Sequence, residues 1–300
     1  MIHGILNVYK EKGYTSHDVV AKLRGITRQR KIGHTGTLDP DAEGVLPVCL
    51  GNATKICSLL TDKSKTYRAV LLLGTSTDTQ DISGVCLENH PVDHLTEEQV
   101  EKAVLSFKGE YEQIPPMYSA LKINGKKLYE LAREGKTVER APRKVVIYDI
   151  KILKMDLPRV WIDVTCSKGT YIRTLCSDIG EMLRTGGCME QLTRTAVEDL
   201  SLENSMTLEK IQKFAEEGCL DKILLPIDFF FEKYRKITVE KQEEIFLYNG
   251  NSFFIPCLKE KPKDKELVRM YDRKGNFIAL YRYNERTERF ETEKMFFVPQ

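Results

Sequence analysis

Residues 31–51 read KIGHTGTLDPDAEGVLPVCLG, and this stretch organises our interpretation of the whole chain. Its four glycines and two prolines are atypical of a plain helix or strand, so we predict a structured loop. Asp39 stands directly before Pro40, and a residue in that position is restricted to extended backbone. The loop therefore presents the Asp39 carboxylate on a backbone with little freedom, as a reactive acid requires.

Four interpretations of this loop remain open on its residues alone. A surface turn with solvated acids is the simplest. The spacing of its acids also matches the start of an EF-hand calcium loop, although the twelfth position, which should be a bidentate Glu, is Leu50. Residues 33–36 form a short GxxG that would let a nucleic-acid backbone approach. Finally, Asp39 can be a nucleophile or an acid/base, which requires partners elsewhere in the chain.

The size of the chain predicts two domains, or one large domain with an appendage, and its charges are unevenly distributed. The chain has 300 residues, a mass of 34.5 kDa and a formal net charge of +2. The charges are clustered, because residues 19–38 hold five basic residues and no acid. Residues 121–144 hold eight basic residues against three acids. Either run can be a solvated helix face or a basic surface for a charged partner, and both interpretations stay open.

Cysteine and histidine usage indicates a cytoplasmic protein without a metal. The eight cysteines form no CxxC pair and lie among apolar or small residues, which is typical of reduced thiols. The histidines are scattered, and no His/Cys group has zinc-ligand spacing. The N-terminus lacks the pattern of a signal peptide, and no apolar run is long enough for a membrane span. We expect no membrane association, and we favour a monomer because no long exposed apolar segment is evident.

The hydrophobic pattern predicts alternating helices and strands, followed by a strand-rich tail. Capping-box patterns begin helices at Thr15 and Thr96. Further helices are predicted at 53–60, 174–184 and 207–217, and strands at 5–9, 66–73, 145–154 and 160–166. Residues 117–141 contain an Asn124-Gly125 hairpin signal and read as an excursion from the core. The tail predicts a small barrel-like domain with short strands at 236–239, 252–255, 267–271, 277–283 and 294–298.

Two segments offer partners for Asp39. Tyr171 and Arg173 follow the strand at 160–166 and would share one face if the chain stays extended. An aromatic ring beside a guanidinium can stack on a base, and the guanidinium can keep a carboxylate ionised. Tyr67 opens the strand at 66–73 and is the second aromatic candidate. Together these residues supply what an enzyme acting on a nucleotide needs.

Four blocks of sequence then resemble one known family. They are GHTGTLDP with GVLPVCLG (33–51), YRAVLLLGTSTDTQDISG (67–84), IPPMYSALKINGKKLYELAREG (114–135) and CSKGTYIRTLCSDIG (166–180). In this order they resemble the TruB family of pseudouridine synthases, the bacterial enzymes that isomerise uridine 55 in the T arm of tRNA. The resemblance covers about residues 2–230, and the tail is similar to the PUA domain that follows the catalytic domain in this family.

The resemblance implies an α+β fold in two domains. Residues 1–232 would form the catalytic domain, with a mixed, mainly antiparallel sheet flanked by helices. Residues 114–141 would be an insertion that clamps the RNA. Residues 233–300 would form a small β-barrel-like PUA domain that binds RNA.

The resemblance also assigns roles to individual residues. Asp39 would be the nucleophile, Arg173 its ion-pair partner, and Tyr67 the ring that stacks on the target base and takes part in proton transfer. Substrate contacts are implied for His34, Tyr67, Tyr171 and Leu192. RNA contacts are implied for Lys10, Arg30, Lys122, Lys126 and Lys168. The implied reaction breaks the bond between N1 and C1′ of an everted uridine and joins C5 to C1′, without a metal or other cofactor.

Three departures from the family pattern stand out. Glu11 follows Lys10 where proline is usual, Asp41 and Glu43 stand where small or apolar residues are usual, and Thr193 replaces a common arginine. Added acids near a phosphate-binding loop should reduce electrostatic attraction to RNA. An RNA-binding protein without activity, a metal-dependent hydrolase, and a pseudouridine synthase with another RNA target remain as alternatives.

Overall fold

The computed structural model describes residues 1–61, 63–123, 125–256, 258 and 260–297. Its largest unit is a sheet of nine strands. Their bounds are Gly4–Lys10 (β1), Ile32–His34 (β2), Glu43–Leu50 (β3), Lys65–Leu73 (β4), Gly109–Gln113 (β7), Arg143–Asp156 (β10), Arg159–Cys166 (β11), Gly187–Val197 (β12) and Leu200–Ser201 (β13). Their order in the sheet is β1-β3-β12-β4-β11-β10-β7, with β2 paired to β3 and β13 paired to β12. All pairs are antiparallel except β3 with β12, so the mainly antiparallel sheet is confirmed.

Residues 31–51 are only partly a loop. Residues Glu43–Leu50 form β3, which is buried along almost its whole length between β1 and β12. The prediction of a loop throughout is wrong there, because burial on both faces replaces the alternating pattern by a continuous apolar run. Pro47 is tolerated in this strand, and its carbonyl still accepts a hydrogen bond from Thr35 N at 3.1 Å.

Helices cover the sheet and begin largely where the sequence predicts. Their bounds are Ser16–Thr27 (α1), Cys57–Thr61 (α2), Glu97–Ser106 (α3), Leu128–Arg133 (α4), Ile172–Met182 (α5), Leu208–Glu216 (α6) and Lys241–Asn249 (α7). Short 3-10 helices lie at Gly51–Ile56, Leu220–Ile223 and Phe229–Phe231. The capping boxes at Thr15 and Thr96 are both confirmed. Among the described residues, no helix is both long and apolar enough to cross a membrane.

Two small hairpins lie outside the large sheet. Strands Thr75–Thr77 (β5) and Cys86–Asn89 (β6) pair with each other, as do Lys122–Ile123 (β8) and Lys126–Lys127 (β9). The second hairpin and α4 form the excursion predicted for 117–141, which leaves the sheet after β7 and returns at β10. Asn124, half of the predicted turn signal, lies outside the described residues.

The C-terminal region forms a second sheet. Its strands Arg235–Thr238 (β14), Leu267–Tyr271 (β15), Phe277–Asn284 (β16) and Arg289–Met295 (β17) pair in that order. Residues 252–255 were predicted as a strand, but only Phe253 forms an isolated bridge. The last strand ends at Met295 rather than spanning 294–298, and Val298 is outside the described residues. Helix α7, which the strand-rich interpretation missed, packs against this sheet.

Candidate active site

Asp39 lies in the turn between β2 and β3, at the edge of the large sheet. Its side chain is 47% exposed, and Oδ2 is 3.1 Å from Arg173 Nη2. The ion pair that the sequence analysis expected is therefore present. A half-exposed carboxylate held by a buried cation combines access to a ligand with a fixed orientation, which a nucleophile requires.

Arg173 contacts several segments of the site. Its side chain is only 7% exposed, and Nη1 lies 3.3 Å from the Asp81 carboxylate. Nη1 also donates to Thr79 O at 3.2 Å, and Nη2 donates to Tyr118 O at 2.9 Å. One guanidinium thus joins Asp39, the loop after β5 and the insertion. Sequence reasoning missed Asp81 because only its location beside Arg173 distinguishes it from other acids of a turn-rich segment.

Arg173 does not sit on an extended chain. It lies in the first turn of α5, and Tyr171 is the N-cap residue of that helix. The expectation that both side chains share a strand face is therefore wrong. A short turn follows β11 and leads into α5, so the two residues reach the site from a helix terminus. Tyr171 is partly buried, and this burial raises the pKa of its hydroxyl.

Tyr67 lies on β4 in the centre of the sheet and is 9% exposed. Burial raises the pKa of its hydroxyl, while the Arg194 guanidinium, which hydrogen-bonds this hydroxyl, opposes that rise. Tyr67 and Arg194 are direct partners across β4 and β12. The partly buried Leu192, two residues earlier on β12, packs against the same apolar core as Tyr67. The structure therefore brings Tyr67, Leu192 and Asp39 to one end of the sheet.

Arg194 is a residue that sequence reasoning passed over. It is 1% exposed, and Nε donates to Val45 O at 2.6 Å while Nη2 donates to Gly36 O at 3.3 Å. These two carbonyls flank the loop that carries Asp39. Arg194 therefore fixes both ends of the loop, and its only sequence signal is its place two residues after Leu192 in the family pattern.

Lys10 requires a correction, because it was predicted to contact RNA. Its side chain is buried, and Nζ donates to Tyr14 O at 2.6 Å and to Glu11 O and Pro40 O at 3.2 Å each. Burial lowers the pKa of this amine to about 8, although the nearby Asp39 opposes the shift. An amine enclosed by three carbonyls cannot also reach a phosphate, so Lys10 anchors the backbone beside Asp39 instead.

His34 lies beside the loop and is partly buried. Its Nδ1 accepts a hydrogen bond from Gly36 N at 3.3 Å, and its ring stands edge-on to that of His17 at 5.5 Å. Burial lowers the pKa of His34, and the neighbouring His17 lowers it further. The imidazole is therefore biased towards its neutral form, with Nε2 available as a donor.

The remaining basic residues predicted to contact RNA are at the surface. Arg30 is exposed beyond the C-terminus of α1, and Lys122 and Lys126 are exposed on the hairpin of the insertion. Lys126 lies 3.5 Å from the Glu134 carboxylate. Lys168 is exposed in the turn before α5. Their exposure is compatible with contacts to a polyanion.

Two of the three departures from the family pattern contact each other. Thr193 Oγ1 lies 3.3 Å from Glu43 Oε1, to which it donates a hydrogen bond. Burial raises the pKa of the Tyr9 hydroxyl, and a hydrogen bond with Glu43 raises it further, to about 12. Glu43 is thus engaged by two side chains of the protein. Across the described ranges, no three His, Cys, Asp or Glu side chains cluster as a metal site would require.

Comparisons with known proteins agree on one family. Residues 24–172 match the family model "TruB family pseudouridylate synthase (N terminal domain)", and residues 173–232 match "tRNA pseudouridylate synthase B C-terminal domain". A protein of Lachnoclostridium phytofermentans named tRNA pseudouridine synthase B is 51% identical over 307 residues, covering 98% of this chain and 100% of the relative. One of Alkaliphilus oremlandii with the same name is 51% identical over 253 residues, covering 84% of this chain and 83% of the relative.

A solved structure of a Cbf5-Nop10-Gar1 complex shows the same architecture. It superimposes with a TM-score of 0.74 at 26% identity, covering 98% of this chain and 85% of that one. The similarity extends over the large sheet and the C-terminal sheet together.

Proposed function

The chain belongs to the TruB family of pseudouridylate synthases, and we propose that it isomerises a uridine of tRNA to pseudouridine. The observation that carries this proposal is the ion pair between the half-exposed Asp39 and the buried Arg173 at 3.1 Å. Two close relatives named tRNA pseudouridine synthase B support tRNA as the substrate. The target is the uridine at position 55 in the T stem-loop, which the motifs at 33–51, 67–84 and 166–180 support.

The reaction needs a nucleophile, a held base and a path for one proton. The bond between N1 and C1′ breaks, the uracil turns, and C5 bonds to C1′. The C5 proton then leaves, and N1 takes up a proton. Asp39 assists the departure of the base from the ribose, as carboxylates do in glycosidases. Arg173 keeps the carboxylate ionised and oriented. Because no atom is gained or lost overall, the reaction requires neither an oxidant nor a water.

Base eversion draws on several contacts. Flipping a base costs a few kcal/mol, and one aromatic stack returns about 1–3 kcal/mol. Tyr67 therefore offsets only part of that cost. His34, Tyr171 and Leu192 border the same end of the sheet and supply further contacts. Phosphate contacts from Arg30, Lys122, Lys126 and Lys168 add the remainder, and salt should weaken them.

Each region of the chain has a part in this function. Residues 1–232 form the catalytic domain, residues 114–141 close on the T loop, and residues 233–300 form a PUA-like domain that binds further RNA. The enzyme works in the cytoplasm as a monomer, because its tRNA substrate is cytoplasmic and one chain supplies every group named above.

The direct test is tritium release from a tRNA transcript labelled at C5 of uridine, with mapping of the modified position. Wild-type protein should release tritium at position 55 and form pseudouridine there. Asp39→Asn should abolish release and leave tRNA binding within about tenfold, because the amide keeps the shape but cannot act as a nucleophile. Wild-type inactivity, or persistent release in the variant, would contradict the assignment.

A further inference from the structure

Gln113 is the buried last residue of β7, and its side chain hydrogen-bonds both backbone groups of Tyr171. It is 1% exposed. Oε1 accepts from Tyr171 N at 2.7 Å, and Nε2 donates to Tyr171 O at 3.0 Å. A single amide thus imitates the pairing of a neighbouring β-strand at one residue. Tyr171 cannot shift along the chain or rotate without breaking both bonds.

Tyr171 is the residue at which α5 begins, and its own side chain forms no capping hydrogen bond. Helix N-termini are usually fixed by a Ser, Thr, Asp or Asn side chain at this position. Here Gln113, on another element, holds the N-cap residue by its own backbone N–H and carbonyl. Tyr171 O also accepts the first helical bond, from Leu175 N at 3.1 Å. Gln113 therefore fixes the start of α5 two residues before Arg173.

The amide is itself held from the other side. Its Nε2 lies 3.0 Å from the Tyr111 hydroxyl, and that hydroxyl donates to Asp178 in the second turn of α5. Burial raises the pKa of Tyr111, so the phenol keeps its proton. Strand β7 and α5 are thus joined at Tyr171 and at Asp178, on successive turns of the helix. A helix held at two such points cannot tilt about its first turn.

We infer that Gln113 is a positioning residue for Arg173 in the isomerisation reaction. The Arg173 guanidinium lies 3.1 Å from Asp39 and depends on where the first turn of α5 stands. A misplacement of about 1 Å in a catalytic group can cost about a hundredfold in rate. Gln113 also immediately precedes the 114–141 insertion, whose Tyr118 carbonyl binds the same guanidinium. The inference rests on the proposed function, because its measure is the rate of that reaction.

The sharpest test replaces Gln113 by a residue that titrates. In Gln113→Glu, an ionised carboxylate at pH 8 still accepts from Tyr171 N but faces Tyr171 O without a proton. Burial raises the pKa of a glutamic acid above its usual value of about 4.3, so much of it is protonated near pH 5.5. The protonated acid restores both bonds to Tyr171.

Two further variants serve as controls. Gln113→Met has a similar shape and cannot form either bond at any pH. Glu110→Gln changes an exposed residue of the same strand.

We expect kcat of Gln113→Glu to fall about 10- to 100-fold relative to wild type at pH 8, with KM within about threefold. The ratio of variant to wild-type kcat should recover to within about fivefold at pH 5.5. Gln113→Met should stay low at both values, and Glu110→Gln should behave as wild type. Melting curves of each variant give the folded fraction, to which kcat is normalised.

A constant ratio of Gln113→Glu to wild type between pH 5.5 and 8 would overturn the inference. So would wild-type kcat in folded Gln113→Met, since the amide would then be structural only. Either result leaves the proposed function intact as long as wild type forms pseudouridine. If wild type forms none, the proposed function fails instead, and the two failures are therefore distinguishable.

Discussion

Arg173 has two carboxylate neighbours, and they differ in exposure and in support. The Asp39 side chain is 47% exposed, whereas that of Asp81 is 18% exposed. Asp81 Oδ1 also accepts hydrogen bonds from Thr79 Oγ1 at 2.8 Å and from Ser83 N at 3.1 Å. The Asp81 carboxylate therefore holds Arg173 in place, and the more exposed Asp39 carboxylate is accessible to a ligand.

Asp81→Asn should lower kcat about 10- to 100-fold and leave KM nearly unchanged. The amide still accepts the hydrogen bonds of the turn, but it removes a charged contact with Arg173 that is worth about 1.5–3 kcal/mol. Single-turnover tritium release at saturating enzyme measures this effect. Asp78→Asn is the matched control, because Asp78 accepts from Val85 N in the same loop and makes no contact with Arg173. Equal losses in both variants would show that the loop, not the charge, matters.

Lys10 gives the site a pH-dependent anchor. An unfolded lysine has a pKa near 10.5, whereas burial lowers the pKa of Lys10 to about 8. Between these values the unfolded chain binds a proton that the native protein does not. The contribution of Lys10 to stability therefore rises as pH increases from 8 to 10.5, and it is lost as pH falls through 8.

Lys10→Met should abolish this contribution. Urea denaturation of wild type and variant at pH 8 and pH 9.5 should show that the difference in their free energies of unfolding, wild type minus variant, becomes more positive at pH 9.5. Lys12→Met, at an exposed position nearby, should show no such change. If the difference for Lys10→Met is the same at both values, then the amine titrates alike in the folded and unfolded states.

At the scale of elements, the parallel contact of β3 with β12 requires a glycine. Gly44 has φ +107° and pairs with Arg194, and a Cβ added there would stand 2.2 Å from Arg194 O. The two backbones approach too closely for any side chain. This contact brings Arg194 against the Asp39 loop, so the loop geometry depends on the missing Cβ.

Gly44→Ala should destabilise the protein by at least about 3 kcal/mol, because both the φ angle and the backbone contact oppose a Cβ. Gly25→Ala is the opposite case, since Gly25 lies in α1 and a Cβ added there would meet no atom within 4 Å. That change should stabilise the protein by about 0.5–1 kcal/mol. Thermal unfolding of both variants measures the contrast, and similar melting temperatures would contradict the proposed role of this contact.

Elements and contacts that depend on distant parts of the chain could not be predicted from the sequence. Helices α1 and α3 carry their start signals locally, and β11 alternates between faces, so these elements follow from neighbouring residues. Strand β12 does not, because register shifts after Met189 and after Arg194 interrupt its period of two. Asp39 and Arg173 were candidates on local residue chemistry, and the family motifs then implied their roles, whereas the role of Asp81 and the burial of Lys10 depend on contacts between distant segments. Helix α7 was missed because short strands surround it.

On the scale of the whole molecule, the two sheets share an apolar cluster. Phe277, Leu280 and Phe296 of the C-terminal region pack with residues of the large sheet such as Ile5 and Val45. The rings of Phe231 and Phe296 are 5.7 Å apart, and Lys55 Nζ donates to Met295 O at 3.0 Å. A continuous core of this kind should make both regions unfold together.

Phe296→Ala should therefore destabilise the large sheet as well as the C-terminal sheet. Phe296 is fully buried, and removing such a ring costs about 3–5 kcal/mol. The chain has one tryptophan, Trp161 on β11, whose fluorescence reports on the large sheet alone. Its unfolding midpoint should fall in step with the far-UV circular dichroism signal. Phe254→Ala removes an exposed ring of the same region and should shift neither signal. An unchanged Trp161 midpoint in Phe296→Ala would mean that the two regions unfold independently.

Arg194 and Lys10 also determine when the backbone around Asp39 becomes ordered. They bind the carbonyls of Gly36, Pro40 and Val45 through side chains that are themselves enclosed by the protein. Immobilising a peptide segment costs about 1–2 kcal/mol of conformational entropy per residue. Here that loss occurs once, while the chain folds, and it does not recur at each encounter with RNA. The backbone around Asp39 is therefore already ordered at the start of every turnover. Binding energy from distant contacts can then drive eversion of the nucleotide instead of ordering this loop.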